Sequence, residues 1–128
     1  MTQKEILDYN KLCAEFLGGE IELWEAEDRL GEDVKNNVYY VYFPNSFEGI
    51  ALEDLDYHEN WNSLMEVVGK IENYSEFCNV SFAPNGCAID VFIENGFHYC
   101  IDCDTKIEAV YKACTKFIKW YNNEIKKI

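Results

Sequence analysis

Cations are scarce in this chain. Its 128 residues include 11 Lys and Arg, of which Arg29 is the single arginine, against 24 Asp and Glu; the formal net charge is −13. A surface that negative excludes direct grip on DNA, RNA or anionic lipid, which are held through Lys and Arg. Long apolar runs are missing too, so nothing is expected to span a membrane. The N-terminus, MTQKEILDYNKLCAEF, is charged throughout and lacks the apolar stretch and cleavage site of a signal peptide, which predicts a cytoplasmic protein. Repeats, low-complexity tracts and linkers are absent, so residues 1–128 are read as one domain. What is present is material for a core: 48% apolar and 16% aromatic residues, too much for a disordered acidic tail. Six cysteines, at 13, 78, 87, 100, 103 and 114, are not needed as staples in a chain of this length, and read as reduced, mostly buried thiols.

Three segments repeat apolar residues at threes and fours. Thr2-Gln-Lys-Glu5 is a capping-box pattern, followed by Ile6, Tyr9, Leu12, Cys13, Phe16 and Leu17 and stopped by Gly18-Gly19. A second helix has Asp56-Tyr-His-Glu59 as its start and Tyr57, Trp61, Leu64, Met65, Val68 and Ile71 as its stripe; Gly69 inside it costs about 1 kcal/mol against Ala. A third opens at Thr105-Lys-Ile-Glu108 and gathers lysines towards its end, where cations suit the helix dipole.

Elsewhere the period falls to two. Residues 20–24 and 37–43 predict one pair of strands, and 77–83, 87–93 and 97–103 a meander turned at Asn85-Gly86 and Asn95-Gly96. Tight type I′ turns there place Val80, Phe82, Ile89, Val91, Ile93 and Cys100 on one face. The other face then holds Ser81, Ala88, Asp90, Phe92, Tyr99 and Ile101, with His98 opposite Ile93. Both faces are substantially apolar, so helices are expected on both. The fold class is thus α/β in the broad sense, more strictly α+β. It is an α/β/α sandwich of order αββαβββα around an antiparallel meander.

Two stretches, Tyr57-His-Glu-Asn-Trp61-Asn-Ser-Leu64-Met65-Glu-Val-Val68-Gly-Lys-Ile71-Glu and Thr105-Lys-Ile-Glu-Ala-Val-Tyr111-Lys-Ala-Cys-Thr-Lys-Phe-Ile-Lys-Trp120-Tyr-Asn, resemble the phage "ABA sandwich" domain family. The likeness covers the second and third helices. The chain departs from the family pattern at Glu66 and Gly69. The resemblance implies a bacteriophage or prophage source, hence a bacterial host cytosol, and an α/β/α sandwich. It brings no activity. Trp61 and Trp120 are expected to be core anchors.

Candidate chemistry is thin. Cys100-Ile-Asp-Cys103 resembles a redox or metal pair, but residues three apart on a strand face opposite ways, and Asp102 and Asp104 disfavour a thiolate. A structural zinc needs four ligands, and His58 and His98 are forty residues apart. Asp90 and Asp102 fall by parity on opposite faces, a poor acid/base couple. No nucleophile elbow, phosphate loop or dinucleotide fingerprint occurs. The reading is therefore no enzyme, no catalytic residues, no cofactor and no metal. The sharper feature is Glu20, Glu22, Glu25, Glu27, Asp28, Glu32 and Asp33, seven carboxylates within fourteen residues. On a strand, alternate residues lie about 6.5–7 Å apart, close to twice the phosphate repeat of one DNA strand. These seven are the expected partner-binding residues. The expected partner is a host protein with a basic surface, such as a CRISPR effector or another nuclease, whose nucleic-acid channel the acidic row would fill. The alternatives are a sponge for a cyclic-nucleotide signal and a self-assembling structural or regulatory phage protein. The other reading of the same seven carboxylates is a solvated loop that serves only to keep the protein soluble.

Overall fold

The computed structural model describes residues 1–25, 37–44 and 46–126. Helix α1 spans Gln3–Phe16, and strands β1 (Glu20–Glu25), β2 (Asn37–Tyr42) and β3 (Ile50–Ala51) follow it. A 3₁₀ turn at Leu52–Asp54 leads to α2 (Trp61–Glu72), β4 (Cys78–Ala83), β5 (Gly86–Val91), β6 (His98–Asp102) and α3 (Lys106–Lys126). The strands form two antiparallel three-stranded sheets, β1-β2-β3 and β4-β5-β6, with helices packed on sheet. The expected α+β sandwich and element order are those observed; β3 and the 3₁₀ turn are additions too short to leave a periodic signal.

The helix ends follow their local chemistry. Thr2 and Glu5 form a complete capping box, and Gly18 takes φ +91 just past the end of α1. The Thr105 hydroxyl accepts from the Glu108 amide at the start of α3. Helix α2 starts later than its Asp56 signal implied. Asn60 is the cap, accepting from the Asn62 amide, while Asp56 braces the turn below through Asn60 and Ser63. Helix α1 carries no cation of its own in its last turn; Lys70 of α2 supplies one, donating to the Phe16 carbonyl and lying over the Phe16 ring.

The meander differs from its expected register, and the difference decides which face is buried. The first turn centres on Pro84 and Asn85, pairing Phe82 with Cys87. That slip is even, so Val80, Phe82, Ile89 and Val91 keep a common face. The second connection is a longer loop in which Asn95 alone has positive φ, and Gly96 is needed because a Cβ there would collide with the Val91 carbonyl. Asp90 consequently pairs with His98 and Ile89 with Tyr99, an odd slip, which exchanges the faces of β6. Tyr99 and Ile101 turn inward with Ile89 and Val91. Cys100 turns outward beside Ala88, and Ile93 lies exposed beyond the end of β5. The exchange partly buries a tyrosine and an isoleucine against the core, and leaves the Cys100 thiol on the outer face with His98 and Asp102. It also corrects the expectation of helices on both faces: α2 and α3 pack on the inner face, and the outer face with Asn79, Ser81, His98, Cys100 and Asp102 is exposed.

The core gathers Cys13, Phe16, Val41, Leu64, Val68, Ile71, Ile89, Val91, Val110, Cys114, Phe117 and Ile118. Phe117 sits at the centre of an aromatic cluster with Phe16, Tyr74, Phe97, Trp120 and Tyr121, ring centroids 5.6–6.2 Å away. One polar network crosses the core. The Asn10 amide nitrogen donates to the Leu55 carbonyl at 3.0 Å and lies 3.2 Å from His58 Nδ1, while its oxygen accepts from the Tyr111 hydroxyl at 2.9 Å. The Leu55 carbonyl can only accept, which fixes the amide's orientation and leaves His58 Nδ1 as an acceptor.

Candidate functional site

The acidic row is partly on view. Glu20 and Glu22 are exposed on β1, opposite Tyr42 and Tyr40, on one face of the sheet. Neither has an ion-pair partner among the described residues. Glu25 ends the strand opposite Asn37 and is described in its backbone only. Glu27, Asp28, Glu32 and Asp33 lie outside the described residues. The structure thus brings together two of the seven carboxylates, in the alternating arrangement that strand period implies.

The remaining candidates are dispersed. His98 Nδ1 lies 3.0 Å from Asp90 Oδ1, a surface pair on the outer face of the meander. Asp102 shares that face at the other end of the sheet, opposite Gly86, so Asp90 and Asp102 are not on opposite faces as parity implied. The odd slip of β6 is the cause. Strand distance still separates them. Cys100 is exposed and Cys103 half-buried, with the Cys103 amide donating to the Asn85 carbonyl. Burial first, then Glu108, Asp104 and Asp102, raise the Cys103 thiol above its usual range, the reverse of what a redox nucleophile needs. Burial raises Cys87 to about 11 and Cys114 well above the usual value. Of six thiols, Cys13, Cys87 and Cys114 are fully buried. No group of three or more His, Cys, Asp or Glu side chains among the described residues is arranged to hold a metal ion.

The tryptophans divide. Trp120 packs in the aromatic cluster as expected. Trp61 is 39% exposed at the first turn of α2 and lines a shallow apolar groove with Met65, Phe82 and Lys106, so it is not a core anchor. Of the expected α2 stripe, Leu64, Val68 and Ile71 are buried and Val67 joins them, while Trp61 and Met65 are exposed and Tyr57 is buried ahead of the helix. Among the described residues no helix is long and apolar enough to cross a membrane.

Sequence reasoning missed a second acidic place. Asp54, Asp56 and Glu66, counted only as charge or as a helix start, converge on a cavity of about 350 Å³ that Tyr57 and Phe43 also line. They come from the 3₁₀ turn, the loop after it and α2, so no local pattern joins them. No family model, curated protein or solved structure matches the chain.

Proposed function

We propose that this chain is a non-enzymatic accessory protein of a bacteriophage or prophage that acts in the host cytosol by binding a host component. In its most concrete form it is an anti-defence inhibitor, of the anti-CRISPR kind, that occupies the basic nucleic-acid channel of a CRISPR effector or other nuclease. The phage source rests on the likeness of α2 and α3 to the ABA sandwich family. The observation that carries the binding role is the charge: −13 overall, with Glu20 and Glu22 exposed on one face of β1, without an ion-pair partner among the described residues, leading into five further carboxylates. Residues 1–60 hold 15 acidic and 4 basic side chains, while 105–128 hold 2 and 6, so the acidic excess lies in the chain before the last helix. Such a field speeds encounter with a basic surface and makes it salt-dependent.

The test is capture from bacterial lysate by the tagged protein, compared with its Glu20→Gln/Glu22→Gln/Glu25→Gln/Glu27→Gln variant. A nucleic-acid-binding protein retained by the first and lost by the second supports the reading; equal retention by both removes the acidic row from it. The signal-sponge alternative calls for cations around a cavity. Lys70, beside the cavity lined by Phe16, Tyr74 and Tyr121, is already engaged by the Phe16 carbonyl, which weighs against it.

A further inference from the structure

Strand β4 is an edge of the second sheet, and its hydrogen bonding can be followed group by group. The Phe92 amide donates to the Phe77 carbonyl, and on the other side of β5 the Val91 amide donates to the Phe97 carbonyl. Backbone groups alternate sides along a strand, so Asn79, Ser81 and Ala83 turn theirs towards β5. Val80 and Phe82 therefore turn their amides and carbonyls outward, where they have no hydrogen-bond partner among the described residues.

Natural sheets protect such edges, because an open one templates another strand. The other described edges are protected: β1 carries Glu20, Glu22 and Glu25, β3 has two residues, and β6 has His98 and Asp102 at its ends. Cys78–Ala83 contains no charged side chain and no proline. In a chain of net charge −13, β4 is thus the one described edge longer than two residues that two copies bring together without opposing charges of like sign. Beside it Phe82 is 45% exposed, and Trp61 and Met65 of α2 stand exposed in the same groove.

We propose that β4 pairs antiparallel with β4 of a second copy, centred on Ser81, and joins the two meanders into one continuous sheet. In that register Val80 of each copy lies opposite Phe82 of the other, and each pair exchanges both backbone bonds, so every outward group of Val80 and Phe82 is used. Pro84, which has no amide, falls opposite Cys78, whose amide is already given to the Ser75 carbonyl. The edge therefore matches itself, as a two-fold contact requires, and a strand of arbitrary sequence would not reproduce that match. On the inner face β-branched Val80 meets aromatic Phe82, a favourable cross-strand pair, and the Trp61–Met65 side of α2 from both copies lies on that same side of the sheet. The contact does not involve β1, and it stands whether or not the β1 carboxylates engage a partner.

The experiment is sedimentation equilibrium of the whole protein over about 1–500 μM. The unaltered protein is expected to rise from 15.0 kDa towards twice that mass. Ser81→Lys and Ser81→Glu each set like charges opposite one another at the two-fold axis and are expected to weaken association at least about fivefold, the lysine doing so although it reduces the overall negative charge. An equimolar mixture of the two variants is expected to restore association, which a variant that failed to fold could not do. A mass of 15.0 kDa at every concentration overturns the proposal and leaves the edge to a strand of a different protein. A dimer that neither variant weakens, or that their mixture does not restore, overturns it as well and puts the contact on another surface.

Discussion

Replacing Asn10 by Ala tests the polar network that ties α1, the segment before α2, and α3 into one body. Asn10 is 1% exposed and its side chain satisfies three groups at once: the Leu55 carbonyl, His58 Nδ1 and the Tyr111 hydroxyl. Stranding one buried polar group costs about 1–3 kcal/mol. The Leu55 carbonyl and the His58 nitrogen lose their partner outright, whereas the Tyr111 hydroxyl still reaches the Ile6 carbonyl at 3.1 Å. The expected loss is therefore about 2–4 kcal/mol, a large part of a small domain's stability. Tyr111→Phe removes the hydroxyl only, leaving the Asn10 oxygen unpaired, and should cost about 1–2 kcal/mol. Because the two share a hydrogen bond, the double variant should be less destabilised than the sum, by about 0.5 kcal/mol or more. Urea unfolding followed by tryptophan fluorescence measures all three. Strict additivity, or an Asn10→Ala loss below about 0.5 kcal/mol, would refute the network as a determinant of the fold.

Gly69 lies inside α2 with nothing within 4 Å of where a Cβ would stand, so Gly69→Ala should stabilise the protein by about 0.5–1 kcal/mol in the same assay. An aromatic disulfide reagent should react first with the exposed Cys100 and reach Cys13, Cys87 and Cys114 only on unfolding; fast reaction of four or more thiols in the native protein contradicts the burial described. Asp56 titrates below its usual value when folded, so its contribution to stability is complete above the unfolded carboxyl range, near pH 4, and is lost as pH falls through the lower folded value. Asp56→Asn should accordingly flatten that acid limb of the stability profile, and an unchanged limb would deny Asp56 the role. Glu20→Gln/Glu22→Gln should leave stability within about 0.5 kcal/mol while slowing association with a basic partner, since both side chains are exposed.

Features that depend on a few adjacent residues are legible in the amino-acid sequence. The capping box at Thr2 and the stop at Gly18 are backbone chemistry written locally, and both occur where the sequence places them. The β4–β5 face survives a misplaced turn because the slip is even. The β5–β6 face does not, since two Asn-Gly dipeptides look alike in sequence while only the packing of Tyr99 and Ile101 distinguishes an even from an odd register. Trp61 misleads for another reason: its spacing fits the apolar stripe, yet it is the first residue of α2, where it stands 39% exposed. The acidic row on β1 is legible as a run. The cavity at Asp54, Asp56 and Glu66 is not, because its carboxylates are separated by up to twelve positions and meet only in three dimensions.

The central claim is that this protein works through its acidic N-terminal surface against a basic partner. The most direct measurement is the pull-down from host lysate at low salt and at about 0.5 M salt, where screening acts within a few ångströms. The unaltered protein and the fourfold Glu→Gln variant at positions 20, 22, 25 and 27 are compared, and the captured proteins identified by mass. The account predicts a single nucleic-acid-binding protein, present with the unaltered chain at low salt and absent both at high salt and with the variant. The same protein captured by the variant at high salt, or no partner at all, contradicts it.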